Sequence, residues 1–322
     1  VYIGIDFLLT PEKPPIAATP HLLEVNIGLP GGAQEYDLVH QVYKGRSSGV
    51  FEVIESSSRE AYGLAFGDYL HSLPFIGPLK ALKLWMDGYG PLPAEIHSAL
   101  RLEDKWVQYQ ILSPRFRMPR TMPWDPAGTN VPADVFFESL RGRPAVLKRR
   151  TGRGGRGLAL IDGPQALPSA PPDPWPRMLQ ERLESRLEGF SVSIRAVAFA
   201  GRFVAAYANL APRPTSNHGF LAFVAPGDSF RLEKPDLELH AFDQRSWEAA
   251  VWFGPDPSAD PPHLRHNLNE DQVASTALIV PADVLNEIRT VSVEVERLYE
   301  GLDFNALPRA WFDLEGSSPG PL

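Results

Sequence analysis

The sequence predicts a mixed α/β (α+β) protein of antiparallel sheets with flanking helices, and three observations predict it. Apolar runs come in pairs separated by turn-forming residues: Tyr2 to Leu9 with Leu22 to Ile27, Ala145 to Leu147 with Leu158 to Ile161, and Ser191 to Ala200 with Arg202 to Leu210. Between and after these pairs the apolar spacing turns helical, as in Leu38, Val39 and Val42, in Leu79, Leu82, Trp85 and Met86, and along Ala282 to Tyr299. With 322 residues, 43% of them hydrophobic, the chain can bury a sizeable core divided among two or three lobes.

Taken in order, residues 1–100 hold the first strand pair, joined by the proline-rich Pro11 to Pro20, and then a mostly helical stretch. Residues 101–180 open with an amphipathic helix over Leu102 to Leu112, ended by Pro114, and continue into the second strand pair. Residues 181–322 carry the third pair, with Gly201 at its turn, and the long helix, whose Val284, Leu285, Ile288, Val291, Val295 and Leu298 lie along one face. Prolines gather in connections such as Pro168 to Pro176 and Pro255 to Pro262, which read as loops or rigid linkers.

Composition excludes several kinds of function. A formal net charge of −8 argues against nonspecific nucleic-acid binding, although arginines collect between Arg141 and Arg156 in a patch suited to a small polyanion. The chain has no cysteine, so disulfides, thiolate catalysis and cysteine metal sites are excluded. Its eight histidines form no zinc-ligand pattern. No eighteen-residue apolar stretch occurs and the chain does not open with a charged, then apolar, signal region, which predicts a soluble, cytoplasmic protein with no membrane partner.

The most telling stretch runs from Ala145 to Asp162. An apolar run ends in Lys148, a loop follows with Gly152, Gly154, Gly155 and Gly157, and a second apolar run closes the hairpin. Glycine removes the Cβ, so backbone amides there can approach phosphate oxygens, while Lys148 and the arginines supply positive charge. The loop also spells a dinucleotide fingerprint, but no helix opens after it, and no Lys-Ser or Lys-Thr pair makes it a Walker loop. By itself it is either a phosphate clamp or a basic surface hairpin. Asp6, Glu24 and Asn26 are oxygen donors of the kind Mg²⁺ prefers; Glu24 and Asn26 share a strand face that Asp6 can reach from the neighbouring strand. They are either ligands or ordinary polar strand ends. Arg195, between apolar neighbours on an alternating strand, needs an anion, either a ligand or a nearby acidic side chain.

As a set, Asp104-Lys105 opening a helix, Pro119-Arg120-Thr121, Val146-Leu147-Lys148, Leu179-Gln180-Glu181, Ser193-Ile194-Arg195, and Arg213 with Asn217 and Gly219 resemble the ATP-grasp superfamily over most of the chain. In the usual order of that family the metal-binding strand pair comes last. Here the better copy, Gly4-Ile5-Asp6-Phe7 with Leu23-Glu24-Val25-Asn26, comes first, which resembles the circularly permuted members of the glutathionylspermidine synthase type. A second copy, Gly301-Leu302-Asp303-Phe304 with Leu314-Glu315-Gly316-Ser317, ends the chain; Ser317 stands at the asparagine position and Gly316 weakens the strand, so Asp303, Asp313 and Glu315 form a reserve set.

The resemblance implies two lobes closing on Mg-ATP: residues 1–100 supplying permuted metal-binding strands and a helical segment, 101–180 an N-lobe with the phosphate hairpin, and 181–322 a C-lobe. It implies that Lys105 and Lys148 neutralise phosphate charge beneath the glycine loop and that Gln180 to Leu183 form a hinge. Glu181 would face adenine, and Glu184 or Glu188 would hold the ribose. Arg195 would face the transferred phosphate, Arg213 and Asn217 would orient phosphate or metal, and Gly219 would allow close backbone approach. The implied activity is a carboxylate–amine ligase that forms an amide or peptide-like bond through an acylphosphate, with small-molecule or peptide substrates. A phosphotransferase using the same grasp and a noncatalytic nucleotide-binding protein are the competing functions.

Overall fold

Two sheets organise the molecule, and the strand pairs read from the sequence seed both. The computed structural model describes residues 1–11, 17–27, 32–86, 102–124, 133–151, 158–169, 176–212, 219–233, 239–241, 272–303, 306–308 and 311. The architecture is mixed α/β. The larger sheet has nine strands. Seven follow the order Arg231–Leu232 (β11), Gln272–Pro281 (β13), Phe220–Gly227 (β10), Arg202–Ala211 (β9), Phe190–Phe199 (β8), Ile3–Pro11 (β1) and Ala18–Ile27 (β2). Leu239–Ala241 (β12) pairs with β13, and Arg186–Leu187 (β7) pairs with β8. Its pairings are antiparallel apart from β10 with β13. The smaller, fully antiparallel sheet has the order Thr121–Trp124 (β3), Arg177–Glu181 (β6), Ala145–Arg149 (β4) and Ala159–Ile161 (β5).

The β8–β9 hairpin turns on Ala200 and Gly201, with φ of 51° and 72°. Both central residues of a two-residue turn adopt positive φ when its twist matches that of the strands. Glu296 reinforces this turn from the long helix Ala282–Glu300 (α7) by accepting a hydrogen bond from the Gly201 amide at 3.0 Å.

One face of the large sheet is wholly apolar. Ile3, Ile5, Phe7 and Leu9 of β1 and Val192, Ile194, Ala196 and Ala198 of β8 pack there against Val284, Leu285, Ile288 and Val295 of α7. The opposite face changes character along each strand. On β8 it reads Ser191, Ser193, Arg195, then Val197 and Phe199; on β1 it reads Leu8, Asp6, Gly4, then Tyr2. The apolar end lies under four consecutive helices, Ala33–Lys44 (α1), Val50–Tyr62 (α2), Phe66–Ser72 (α3) and Ile76–Met86 (α4). There Tyr2, Val197 and Phe199 form a core with Val50, Ile54, Tyr69 and Leu70. Among the described residues, the helices α1–α4 leave the polar end to face the small sheet.

Strand β2 is an edge of the large sheet, and its alternation breaks. Ala18 and Leu22 are buried at even positions, Val25 and Ile27 at odd ones, because the register shifts between Asp6 and Phe7 and leaves Leu23 as the extra residue. A β-bulge re-aims side chains in this way and commonly lies beside functional sites. Glu24 is thereby turned to the same face as Asp6. Gln108 of the helix Lys105–Leu112 (α5) covers the exposed edge, donating to the Val25 carbonyl at 2.7 Å and accepting from the Val25 amide at 3.0 Å. The helix at the end of the 102–112 stretch starts at Lys105, where Asp104 caps it by accepting from the Trp106 and Val107 amides. In the small sheet, Ala145, Leu147, Ile161 and Leu179 pack against Phe136 and Phe137 of the helix Ala133–Ser139 (α6), leaving Val146, Lys148 and Gln180 on the other face.

Candidate functional site

The uncovered face of the small sheet and the polar end of the large one enclose a cleft of about 180 Å³. Leu8 and Leu23 come from the large sheet and Val146 and Leu158 from the hairpin, with Leu183 from the β6–β7 connection completing an apolar slot. Lys148 stands at its side, and Ser193 and Asn209 form part of its polar end.

Beside the slot, charged side chains converge from three elements. Lys105 of α5 and Lys148 of β4 direct their Nζ atoms at the same Glu24 Oε2, at 3.8 and 3.7 Å. All three side chains are mostly buried. Burial pushes the Lys148 ammonium down to about 8, opposed by Glu24 and assisted by Lys105. For Glu24, burial works to raise the carboxyl, but Lys105, Lys148 and Arg195 outweigh it and hold it below its ordinary range. Asp6 lies opposite Glu24 in the β1–β2 register and opposite Arg195 in the β1–β8 register. Arg195 grips it through both arms of its fork, Nε to Oδ1 and Nη2 to Oδ2, each at 2.7 Å. Asn26 donates to the same carboxylate at 3.3 Å. Asp6, Glu24 and Asn26 therefore share one surface with Lys105, Lys148 and Arg195, and three cations face two carboxylates.

This surface fits Mg²⁺ in donor chemistry, with two carboxylates and an amide oxygen. Among the described residues no group of three or more His, Cys, Asp or Glu side chains gathers as a metal site. Because the cations outnumber the carboxylates, a lone divalent ion would meet net repulsion; one arriving with a polyphosphate would not.

Other sequence-based site residues have definite places. The anion that Arg195 requires is Asp6, so its guanidinium is already held in a bidentate pair. Gln180 lines the cleft and donates to Thr121 Oγ1 at 3.0 Å. Glu181 borders the cleft, but its carboxylate is paired with Arg143 and accepts from the Arg120 amide, so it is a structural tie between β6 and its neighbours as well as a lining residue. Glu188, one of the two glutamates offered for the ribose, stands in a turn. It sits at φ 50° in the tight β7–β8 turn, with its carboxylate accepting from the Leu232 amide at 3.2 Å, and the cleft is lined by Glu184 instead. Gly219 packs closely on the neighbouring strand: a Cβ there would stand 2.2 Å from Asn209 Oδ1 and 2.6 Å from the Leu210 carbonyl. Gly152, Gly154, Gly155, Gly157, Arg213 and Asn217 lie outside the described residues, as do Asp313 and Glu315 of the reserve set. Asp303 is exposed just beyond α7, where 301–303 form no strand.

Sequence reading missed the slot itself. Leu8, Leu23, Val146 and Leu158 read as strand core, and only the bulge at Leu23 and the facing of two separate sheets turn them into a binding wall. The phase break at Leu22-Leu23 was the available signal. No protein-family model matches this chain, and no curated protein matches it. No helix among the described residues is long and apolar enough to cross a membrane.

Proposed function

We propose that the chain is an ATP-grasp protein of permuted order that binds Mg-ATP between its two sheets and uses it to join a carboxylate to an amine. The observation that carries this reading is the convergence of Lys105 and Lys148 on Glu24, next to the Asp6–Arg195 pair and at the side of an apolar slot. A flat base fits a slot walled by Leu8, Leu23, Val146 and Leu158; a triphosphate fits a surface where buried cations exceed carboxylates.

In this reading Lys105 and Lys148 leave Glu24 for the phosphates, and Glu24, Asp6 and Asn26 are then the oxygen donors available to Mg²⁺. The ion would supply charge that bridges protein and phosphates. Arg195, held in orientation by Asp6, would face the transferred phosphoryl group as a fixed positive charge. The γ-phosphoryl passes to a carboxylate oxygen to give an acylphosphate and ADP; an amine nitrogen then attacks the acyl carbon, phosphate leaves and the amine releases a proton. Positioning and electrostatics suffice for these steps, with no nucleophilic side chain. The substrates are small-molecule or peptide carboxylates and amines.

Calorimetric titration of the full chain with Mg-ATP tests the first part. Binding is expected, with Lys148→Met lowering affinity by about tenfold or more, as for the loss of one charge-assisted contact. An intact chain that binds no Mg-ATP overturns the nucleotide reading. Phosphate release from ATP that requires both a carboxylate and an amine supports the ligase; transfer to an acceptor with no amine present replaces it with a phosphotransferase.

A further inference from the structure

A deeply buried pair of charges lies near this site, outside the cleft. Arg150 and Asp104 have side chains only 6% and 7% exposed. Arg150 Nε donates to both Asp104 oxygens at 3.1 Å, and Nη2 donates to Oδ2 at 2.7 Å. Their main chains are tied as well, with the Lys105 amide on the Arg150 carbonyl at 2.8 Å and the Arg150 amide on the Pro176 carbonyl at 2.8 Å. Asp104 is the cap of α5, so the residue that starts that helix, Lys105, takes its position from Arg150. Lys148 precedes Arg150 by two residues on the same chain. One guanidinium thus fixes the roots of both lysines that meet at Glu24.

Arg150 has a further partner, far away in sequence. Its Nη2 also donates to the main-chain carbonyl of Trp311 at 2.7 Å, and the Trp311 amide donates to the Pro308 carbonyl. Nothing in the local sequence of β4 or α5 requires this contact. A guanidinium this deeply buried must have its donors filled, because an unfilled one keeps the full cost of leaving water. A carbonyl delivered from beyond α7 fills one of them.

We infer that Trp311 is a working part of the site: docked on Arg150, its carbonyl keeps the Asp104–Arg150 pair closed, and Arg150 is the positioning residue that holds Lys105 and Lys148 convergent. This rests on the proposed nucleotide reading for its effect on ligand affinity, but not for its effect on local structure. A chain ending at Pro308 removes the carbonyl while both residues of the ion pair remain in the chain. Arg150→Lys is the companion variant, since a lysine ammonium lacks the planar fork needed to serve both Asp104 oxygens and the carbonyl at once.

Two readouts decide the inference. Amide hydrogen exchange should show the Trp106 and Val107 amides, which Asp104 caps, losing about tenfold of their protection in the shortened chain while the amides of α7 keep theirs. Mg-ATP affinity should fall by about three- to tenfold, the share of one charge-assisted hydrogen bond that reaches the ligand. Arg150→Lys should lose at least as much as the shortened chain in both, since it also weakens the bonds to Asp104. Full protection at Trp106 and Val107 in the shortened chain, with unchanged affinity, would overturn the inference. If α7 also loses protection on shortening, Arg150→Lys decides, and wild-type protection in that variant overturns it. Absence of Mg-ATP binding in the intact chain defeats only the nucleotide reading; the exchange measurement still decides the role of Arg150.

Discussion

The two sheets differ in how they use their second face. The nine-stranded sheet covers almost everything: β8 is buried continuously from Ala196 to Phe199, with α7 on one side and the α1–α4 helices on the other. The four-stranded sheet packs one face on α6 and gives the other, with Val146, Lys148 and Gln180, to the cleft. Strand pairing and alternation are alike in both. What differs is whether a helix follows to close the free face, so a side chain of the same type is core in one sheet and binding wall in the other.

The largest effect that tests this contrast comes from Phe199→Ala. Phe199 is fully buried and meets the rings of Tyr2, Tyr62, Phe66 and Tyr69 at 5.2–6.0 Å. Urea denaturation should show a loss of about 3–5 kcal/mol, as for other buried aromatic truncations. A loss below 1 kcal/mol would mean that the helical cover does not seal this face.

A smaller effect, of opposite sign to an ordinary salt bridge, comes from Lys148. Burial lowers its pKa from 10.5 to about 8 in the folded chain, so between these values the unfolded chain binds the proton more tightly and stability rises with pH. Denaturation at pH 7.5 and 10 is expected to differ by on the order of 2–3 kcal/mol through this group. Lys148→Met should remove that part of the slope, and an unchanged slope in the variant would contradict the buried cation. Glu24 acts at the acid end: its carboxyl is lowered, so the stability it contributes is lost as pH falls through its folded value.

The smallest change in stability is expected for Val146→Ala, about 1 kcal/mol for the lost methyl groups. Its nucleotide affinity should nevertheless fall more than that of a neighbouring core truncation such as Leu147→Ala, whose side chain points at α6. Equal loss of affinity in the two variants would erase the distinction between wall and core.

The strand pairs were legible because period-2 alternation and their turns are local, and Lys105, Lys148 and Glu24 were legible as charges in strand or helix-start positions. Their meeting was not, since it requires β2, β4 and α5 to be assembled from positions more than eighty residues apart. Arg195 shows the same limit from another side. Its neighbours demanded an anion, but only the β1–β8 register selected Asp6. Sequence alone did not choose between Glu184 and Glu188; the fold lines the cleft with Glu184 and places Glu188 in a turn with its carboxylate on the Leu232 amide.

By itself, then, the sequence determined which segments pair as strands, that a helix runs through Leu102 to Leu112, and that Lys105, Lys148 and Glu24 are charges set among apolar runs. Tertiary structure alone decided that Lys105 and Lys148 share one carboxylate, that Leu23 bulges into a slot, and that Trp311 returns to Arg150. The physical reason is range: backbone geometry and side-chain alternation act within a few residues, whereas the cost of burying an unmatched charge is settled by whichever distant segment arrives beside it.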